Sequence, residues 1–365
     1  MRTAFGVVLV VHGLIHLMGF AKAFGYAQLP QLTLPISRTM GALWLLAAVL
    51  MLAAAAAPSQ RFWPLGLAAL VVSQGVIVAS WRDARFGTLA NLLLLVAVVY
   101  GFAARGPFSL RAAFARDTAA LGPPPAGPAV VTEADLQRLP PRVQQYLRVT
   151  GSVGQPRVHN LRARWTGRIR GDAQRPWMTF AAEQINTFGA TPARLFFLDA
   201  VMKGLPVDVY HRFVDADATF RVRLLSLKPM VDAHGPEMNR SETVTLFNDL
   251  AVLAPPALLD PALQWSPVDE RSVRATFTRG RQTVSAVLVF NDTGELVDFV
   301  SDDRLAASPD GTRFTARRWS TPLADYRPFG ARRLASFGQA LWHNPEGPFA
   351  YIELHLVDVA YNVAP

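Results

Sequence analysis

Residues 157–170 read RVHNLRARWTGRIR, and the alternation in this stretch decides the fold of the larger part of the chain. The odd positions His159, Leu161, Ala163, Trp165 and Ile169 are largely apolar. The even positions Asn160, Arg162, Arg164, Thr166, Arg168 and Arg170 are polar. A period of two over this length predicts an antiparallel strand with one face in a core and the other in water. Downstream, residues 176–188, 193–201, 207–214 and 219–226 continue the pattern, with Asp215-Ala216-Asp217 as a hairpin connection. Residues 241–253 break it: Val244, Phe247, Leu250 and Ala251 fall at helical spacing, and Pro255-Pro256 stops the segment. Strands then resume over 264–269, 272–279, 282–290, 295–304, 312–320, 332–342 and 349–361, with Asn291-Asp292-Thr293-Gly294 as a turn. About eleven or twelve strands and one inserted helix predict an α+β, mainly antiparallel domain. Its large curved sheet covers its apolar face as an open or partial β-barrel packed around that helix.

Upstream the pattern is of another kind. Residues 4–20, 39–57, 62–80 and 88–104 are apolar runs of about 16–19 residues, at the short end for crossing a bilayer core of roughly 30 Å. Backbone groups in lipid must be satisfied internally, so each run is predicted to be helical. Short loops between them make an antiparallel four-helix transmembrane bundle. Pro58 ends the second run and Pro64 is placed in the first turn of the third. Arg2, the first apolar run and Ala21-Lys22-Ala23 mimic a cleaved signal peptide. The two histidines inside the run and the three later runs favour a retained span.

The expected organisation is therefore residues 1–104 as the membrane domain, 105–130 as a linker and 131–365 as a soluble β domain. The linker holds the stiff run Gly122-Pro123-Pro124-Pro125-Ala126-Gly127-Pro128. Thr132-Glu133-Ala134-Asp135 is a helix start, and Pro141, Val143, Tyr146 and Leu147 mark a short amphipathic helix.

The chain carries a formal charge of +9. Arg2, Lys22, Arg38, Arg61, Arg82 and Arg85 precede Ala104 against the single acid Asp83, so about half of that charge lies in membrane loops. No Lys/Arg block of nucleic-acid type is present, and no nucleic-acid partner is expected. The expected partners are the lipid bilayer and a hydrophobic ligand. Arg2, Arg61, Arg105, Arg111 and Arg116 fall on one side of the spans, against Lys22, Arg38, Arg82 and Arg85 on the other. That count leans toward both termini in the cytoplasm of a bacterial cell, with the chain in the inner membrane.

There is no cysteine, which excludes disulfides, thiolate nucleophiles, Cys-ligated zinc and iron–sulfur clusters. Gly-x-Ser-x-Gly, Walker A, dinucleotide and His-Glu-x-x-His motifs are missing too, so no cofactor is expected. Two loops carry candidate acid–base or metal-binding groups: His234 and Glu237 beside Asp232, and His343 with Glu346. Both are also ordinary turn sequences. His12 and His16 share one face of the first span, either as a metal, haem or proton site with Gln74 or Asn91, or as neutral imidazoles bonded across helices. Trp165, Trp177, Phe197 and Phe213 are candidates to line an apolar pocket, or else ordinary core. Arg162, Arg164, Arg168 and Arg170 form a basic strand face that meets either anionic headgroups or water.

Three blocks carry a resemblance. They are His12-Gly13-Leu14-Ile15-His16 through Gly25 with Pro35-Ile36-Ser37, then residues 80–91 (SWRDARFGTLAN), then Trp342-His343-Asn344-Pro345-Glu346-Gly347 closing on Tyr361-Asn362. Together they resemble a bacterial family of multi-pass membrane proteins whose C-terminal domain has no known function. The resemblance implies neither an activity nor catalytic residues. The β part is also similar to half-barrel lipoprotein-carrier folds, which implies a concave apolar sheet able to hold acyl chains. Three functions follow as expectations: a membrane-anchored binding module for a lipid or other hydrophobe, a hydrolase-like enzyme using a His/carboxylate loop, or an envelope scaffold.

Overall fold

The computed structural model describes residues 2–308 and 310–364, without the side chains of Arg2 and Thr3. Met1 and Pro365, the outer limits of the two expected domains, lie outside the described residues, as does Pro309. The chain divides into two compact units, Met1–Ala112 and Ala113–Pro365.

The first unit contains helices α1 (Arg2–Ala23), α2 (Arg38–Ala56), α3 (Ser59–Ala79), α4 (Trp81–Ala84) and α5 (Gly87–Arg105). Among the described residues four helices are long and apolar enough to cross a membrane. Their outer faces expose Val7, Leu14, Ile15, Val49, Val71, Val78, Leu92 and Val96, while Leu9, Met51, Ala69, Leu94 and Val98 form a buried seam. Small residues let the helices approach. A Cβ on Gly19 would stand 2.2 Å from the Trp44 ring, so only glycine admits that indole between α1 and α2. Ser37 caps α2, accepting from Met40 N at 3.2 Å. The third helix starts one turn earlier than expected, which puts Pro64 inside it rather than in its first turn. Asp83, the sole acid of this region, accepts from Leu34 N at 2.8 Å and Thr33 Oγ1 at 2.7 Å, pinning the loop after α1. Those bonds hold its carboxyl below the usual range.

Helix α6 (Leu110–Ala120) occupies part of the expected linker, and the Pro-rich run 122–128 follows without helix or strand. Next come α7 (Glu133–Leu136) and α8 (Pro141–Val149). Thr132 and Asp135 form a capping box on α7, and α8 buries Val143, Tyr146 and Leu147.

Among the described residues there are sixteen strands. The first meander is β1 (Asn160–Ile169), β2 (Met178–Thr187), β3 (Ala193–Met202), β4 (Leu205–Val214), β5 (Asp217–Leu224) and β6 (Lys228–His234). Helix α9 (Pro236–Leu253) and a 3-10 turn (Pro255–Leu259) then lead into the second: β7 (Leu263–Pro267), β8 (Ser272–Arg279), β9 (Gln282–Phe290), β10 (Leu296–Ser301), β11 (Leu305–Ala307), β12 (Phe314–Ala316), β13 (Trp319–Ser320), β14 (Leu323–Phe329), β15 (Arg332–Asn344) and β16 (Gly347–Tyr361). Fourteen of them form one antiparallel sheet, ordered β6-β5-β4-β3-β2-β1-β16-β15-β13-β10-β9-β8-β7, with β14 on β15. The pairing of β1 with β16 joins the meanders, and the outer strands β6 and β7 remain edges. The result is a half-barrel. Helix α9 links its two edge strands and is buried on nearly every side.

The strand count exceeds the expected dozen for physical reasons. Pro229 in β6 and Pro328 in β14 disguise both strands, yet each lies on an edge where a missing N–H costs no ladder bond. The expected strand 312–320 is split: β12 pairs with β11 in a separate two-stranded hairpin, and β13 joins the main sheet. The inserted helix begins at Pro236, five residues before the expected start.

Candidate functional site

The concave face of the half-barrel encloses a cavity of about 1210 Å³. Strand parity sets its walls. Phe196 and Leu198 from β3, Val207 and Val209 from β4, and Phe220 and Val222 from β5 all point inward. Trp165 enters from β1, Trp319 from β13 and Ile352 from β16, while the β11–β12 hairpin contributes Leu305 and Phe314.

The floor is polar, and α9 supplies it. Ser241, Thr245, Asn248 and Asp249 recur at helical spacing and line the cavity, with the buried Glu242 on the same side of the helix. Arg194 of β3 donates through Nε to Asp249 at 2.6 Å and reaches Glu242 at 3.3 Å. Asp249 also accepts from Gln184 at 2.6 Å and Asn186 at 3.1 Å, and Gln184 in turn accepts from Trp165 Nε1 at 2.9 Å. Arg304 donates to Thr245 Oγ1 and to the Tyr351 hydroxyl, both at 3.1 Å, and lies over the Trp319 and Trp342 rings. Its other terminal nitrogen stands 3.6 Å from Glu242. Two guanidinium groups thus face two carboxylates, and the buried charges cancel.

His211 of β4 borders this cluster. Its Nδ1 accepts from Arg194 at 3.4 Å and lies 3.6 Å from Glu242. Burial pushes the imidazole down to about 4; the Glu242 carboxylate opposes the shift, while Arg194 and Arg304 reinforce it. Burial also works to raise Glu242, but the field of His211, Arg194 and Arg304 outweighs it and the carboxyl stays below its ordinary value. Burial raises Asp249, with Arg194 pulling the other way. A histidine depressed in the folded state is protonated first in the unfolded chain. Its contribution to stability is therefore complete above pH 6.5 and is lost as pH falls toward 4. Between pH 7 and pH 4.5 the domain is expected to lose about 2 kcal/mol that a His211→Gln variant does not lose, read by urea denaturation at those two pH values. Equal losses in both proteins would remove His211 as the cause.

The sequence candidates fall in different places. Trp165 lines the cavity. Phe197, one residue from the inward Phe196, points to the convex face, where its ring lies 5.7 Å from Phe114 of α6 and 6.3 Å from Tyr210. The Tyr210 hydroxyl donates to Asp117 at 2.7 Å, so α6 covers this convex aromatic patch. Phe213 is fully buried in the packed core beyond the cavity. Trp177 sits under the guanidinium groups of Arg168 and Arg170. On the basic strand face, Arg162, Arg164 and Arg168 pair across strands with Glu183, Asp358 and Glu353.

Asp232, His234 and Glu237 border a separate cleft of about 330 Å³. His343 Nε2 bonds to Ser320 Oγ at 2.8 Å, while Glu346 stands at the rim of the large cavity. In the bundle, His12 Nε2 bonds to Asn91 Oδ1 at 3.1 Å, His16 Nε2 to Ser73 Oγ at 2.9 Å, and His16 Nδ1 to the His12 carbonyl at 3.0 Å. Asn91 donates to Gln74 at 3.0 Å and Gln74 to Thr88 at 3.2 Å. Ser73 Oγ in turn donates to Asn91 Oδ1 at 3.0 Å, so both histidines belong to one hydrogen-bond network that crosses the bundle. Among the described residues no three His, Asp or Glu side chains are placed to hold a metal ion together.

Sequence reasoning missed Glu242, Asp249, Arg194 and Arg304. The available signal was a pair of acids seven residues apart in an otherwise uncharged helical run, Glu242 and Asp249.

No curated protein matches the chain. Among solved structures, it is similar to a domain from Vibrio parahaemolyticus assigned provisionally to outer membrane lipoprotein sorting. Identity is 11%, over 56% of this chain and 86% of that one, with a TM-score of 0.36. A DUF1329 family protein from Desulfovibrio piger shows 12% identity over 65% of this chain and 95% of its own, also at 0.36. A β-barrel-like DUF1849 protein from Brucella abortus shows 13% identity over 56% and 98%, at 0.20. Residues 129–354, more than half of the chain and nearly all of the half-barrel, match a family of unknown function, and the protein is a member of that family, DUF6544.

Proposed function

We propose that the chain is a membrane-anchored binding module that holds a lipid or other hydrophobic ligand in the concave cavity of its half-barrel. One observation carries the reading. A cavity of about 1210 Å³ is walled mainly by apolar side chains, where a domain without a ligand would gain by filling the space. Burial is worth roughly 25 cal/mol per Å², so an acyl chain covering about 300 Å² gains about 7 kcal/mol before association costs. The four apolar helices, with large aliphatic side chains exposed along their outer faces, support the anchor. Anchoring holds the cavity where lipid is concentrated. The loop charges, five against four, lean toward the cytoplasmic side of a bacterial inner membrane for the half-barrel.

The enzyme reading has one observation in its favour, the shared cleft of Asp232, His234 and Glu237. The large cavity favours binding, because its buried charges are already paired with one another. A fluorescent fatty acid is expected to bind the wild-type chain. Filling the cavity with Val222→Trp or Val209→Trp should weaken binding at least about tenfold, by excluding the volume the chain occupies. Thr166→Trp, on the convex face, should leave it unchanged. Equal binding by all variants would place the probe elsewhere and sink the proposal.

A further inference from the structure

The cavity's polar groups lie in two places, and their charge balance differs. On the floor, Arg194 and Arg304 are matched by Asp249 and Glu242. At the rim the match fails. The rim brings together the loop after β1, the β15–β16 hairpin and the β11–β12 hairpin, which contribute Arg170, Asp172, Arg175, Arg313, Arg317 and Glu346 to the lining. Asp172 is taken by Arg175 at 2.9 Å. Arg170 gives two of its donors, from Nε and Nη1, to the backbone oxygens of Ala350 and Ala173, which leaves Nη2 for a ligand, and its plane lies over Trp177 and Phe349. Arg317 donates to the neutral Asn344 amide at 2.8 Å, beside the same hairpin. Among the described residues, no carboxylate forms an ion pair with Arg170, Arg313 or Arg317; of the nearby acids, Glu346 lines the mouth, and Asp310, at the tip of the β11–β12 hairpin, is taken by Ser308 and Thr312. The rim is thus cationic, Arg313 and Arg317 are exposed, and an apolar space lies immediately inside.

We infer that the ligand is an amphiphile with an anionic head. Its hydrocarbon tail fills the apolar cavity and its carboxylate or phosphate meets Arg170, Arg313 and Arg317 at the mouth. The inference rests on the cavity reading and adds the charge of the ligand to it. A cation in this position is attractive only to a head that stays near water. Burying the head on the floor would instead place a new charge beside a cluster that is already neutral. Guanidinium groups suit both carboxylate and phosphate through paired N–H donors, so the two heads share one recognition chemistry.

The test uses the full chain in phosphatidylcholine nanodiscs, with empty nanodiscs as the blank. Photoreactive hexadecyl probes carry a carboxylate, a phosphate or a hydroxyl head, and labelling of cavity-lining peptides is followed against probe concentration. The anionic probes are expected to label at concentrations about tenfold lower than the alcohol, and raising salt from about 0.05 to 0.5 M should erase most of that difference. The double substitution Arg313→Glu with Arg317→Glu should weaken the anionic probes about tenfold or more while the alcohol stays within about twofold, which also shows that the variant is folded. The carboxylate and phosphate arms separate a fatty acid from a lysophospholipid; preference for either supports the inference. Equal labelling by alcohol and anions in the wild type, unaffected by salt, overturns the anionic head and leaves the hydrophobic cavity standing. Absence of cavity labelling by every probe overturns both.

Discussion

In an Arg194→Met variant the β domain is expected to lose about 3–5 kcal/mol at pH 7, because the substitution leaves two buried carboxylates facing each other's surroundings without their shared cation. Arg194 is 6% exposed, Glu242 is fully buried, and both Asp249 and Glu242 depend on its guanidinium. The remaining cation, Arg304, reaches only Glu242, at 3.6 Å. Arg194→Lys keeps the charge and loses the fork that spans the two acids, so its cost should be smaller. The pH dependence gives the mechanism a second readout. Without Arg194 the folded-state pKa values of Asp249 and Glu242 rise above their unfolded values. Such groups contribute stability at low pH that is lost as pH rises through the folded value. The deficit of the variant should therefore shrink on acidification from pH 7 toward pH 5. Urea denaturation of residues 113–365 across that range measures it. A deficit that is below about 1 kcal/mol at pH 7, or independent of pH, would show that Arg194 is not what balances the two acids.

The half-barrel was legible because burial on one face of an antiparallel sheet writes itself into the sequence as a period of two. The stretch 157–170 carries that signal through Leu161, Ala163 and Trp165, which are all buried. What the period does not reveal is which apolar residues face a cavity and which face a covering element. Phe196 and Phe197 are adjacent and equally buried, yet one lines the cavity and the other lies under Phe114 of α6 on the convex side. Deciding between them needs the knowledge that α6 exists and covers the outer face. Its sequence, with Arg111, Arg116 and Asp117 around Phe114, gives a weak apolar stripe. The floor of the cavity was hidden by the converse ambiguity. Val244, Phe247 and Ala251 identify the apolar side of α9, and the rule for a surface helix assigns Ser241, Glu242, Thr245, Asn248 and Asp249 to water. In the half-barrel those residues are buried, because the sheet curls around the helix and supplies Arg194, Gln184 and Arg304 as partners. Those partners come from β2, β3 and the β10–β11 connection, dozens of residues away, and no local pattern announces them.

The opposite side of α9 supports the last expectation. Phe247 is fully buried, stacked on Phe277 at 5.3 Å and edge-on to Phe299 at 5.0 Å, with Trp319 beyond Phe299 at 6.2 Å. These rings belong to β8, β10 and β13, so one side chain fastens the helix to β8 and β10 directly and to β13 through Phe299. Truncation to Phe247→Ala removes the ring and leaves a void among groups held by the sheet, at a cost of about 3–5 kcal/mol. The size of the loss resembles that of Arg194→Met, but its character differs. No ionisable group changes its surroundings, so the deficit should be constant between pH 7 and pH 5, whereas the Arg194→Met deficit shrinks. Phe247→Leu fills part of the void and should recover a substantial share. Since α9 carries Thr245, Asn248 and Asp249 into the cavity on its other face, loosening its apolar anchor should also weaken capture of a hydrophobic ligand under conditions where the domain remains folded. A Phe247→Ala protein that is destabilised as expected yet binds ligand like the wild type would separate the helix's structural role from the cavity, and would place the ligand on the strand walls alone.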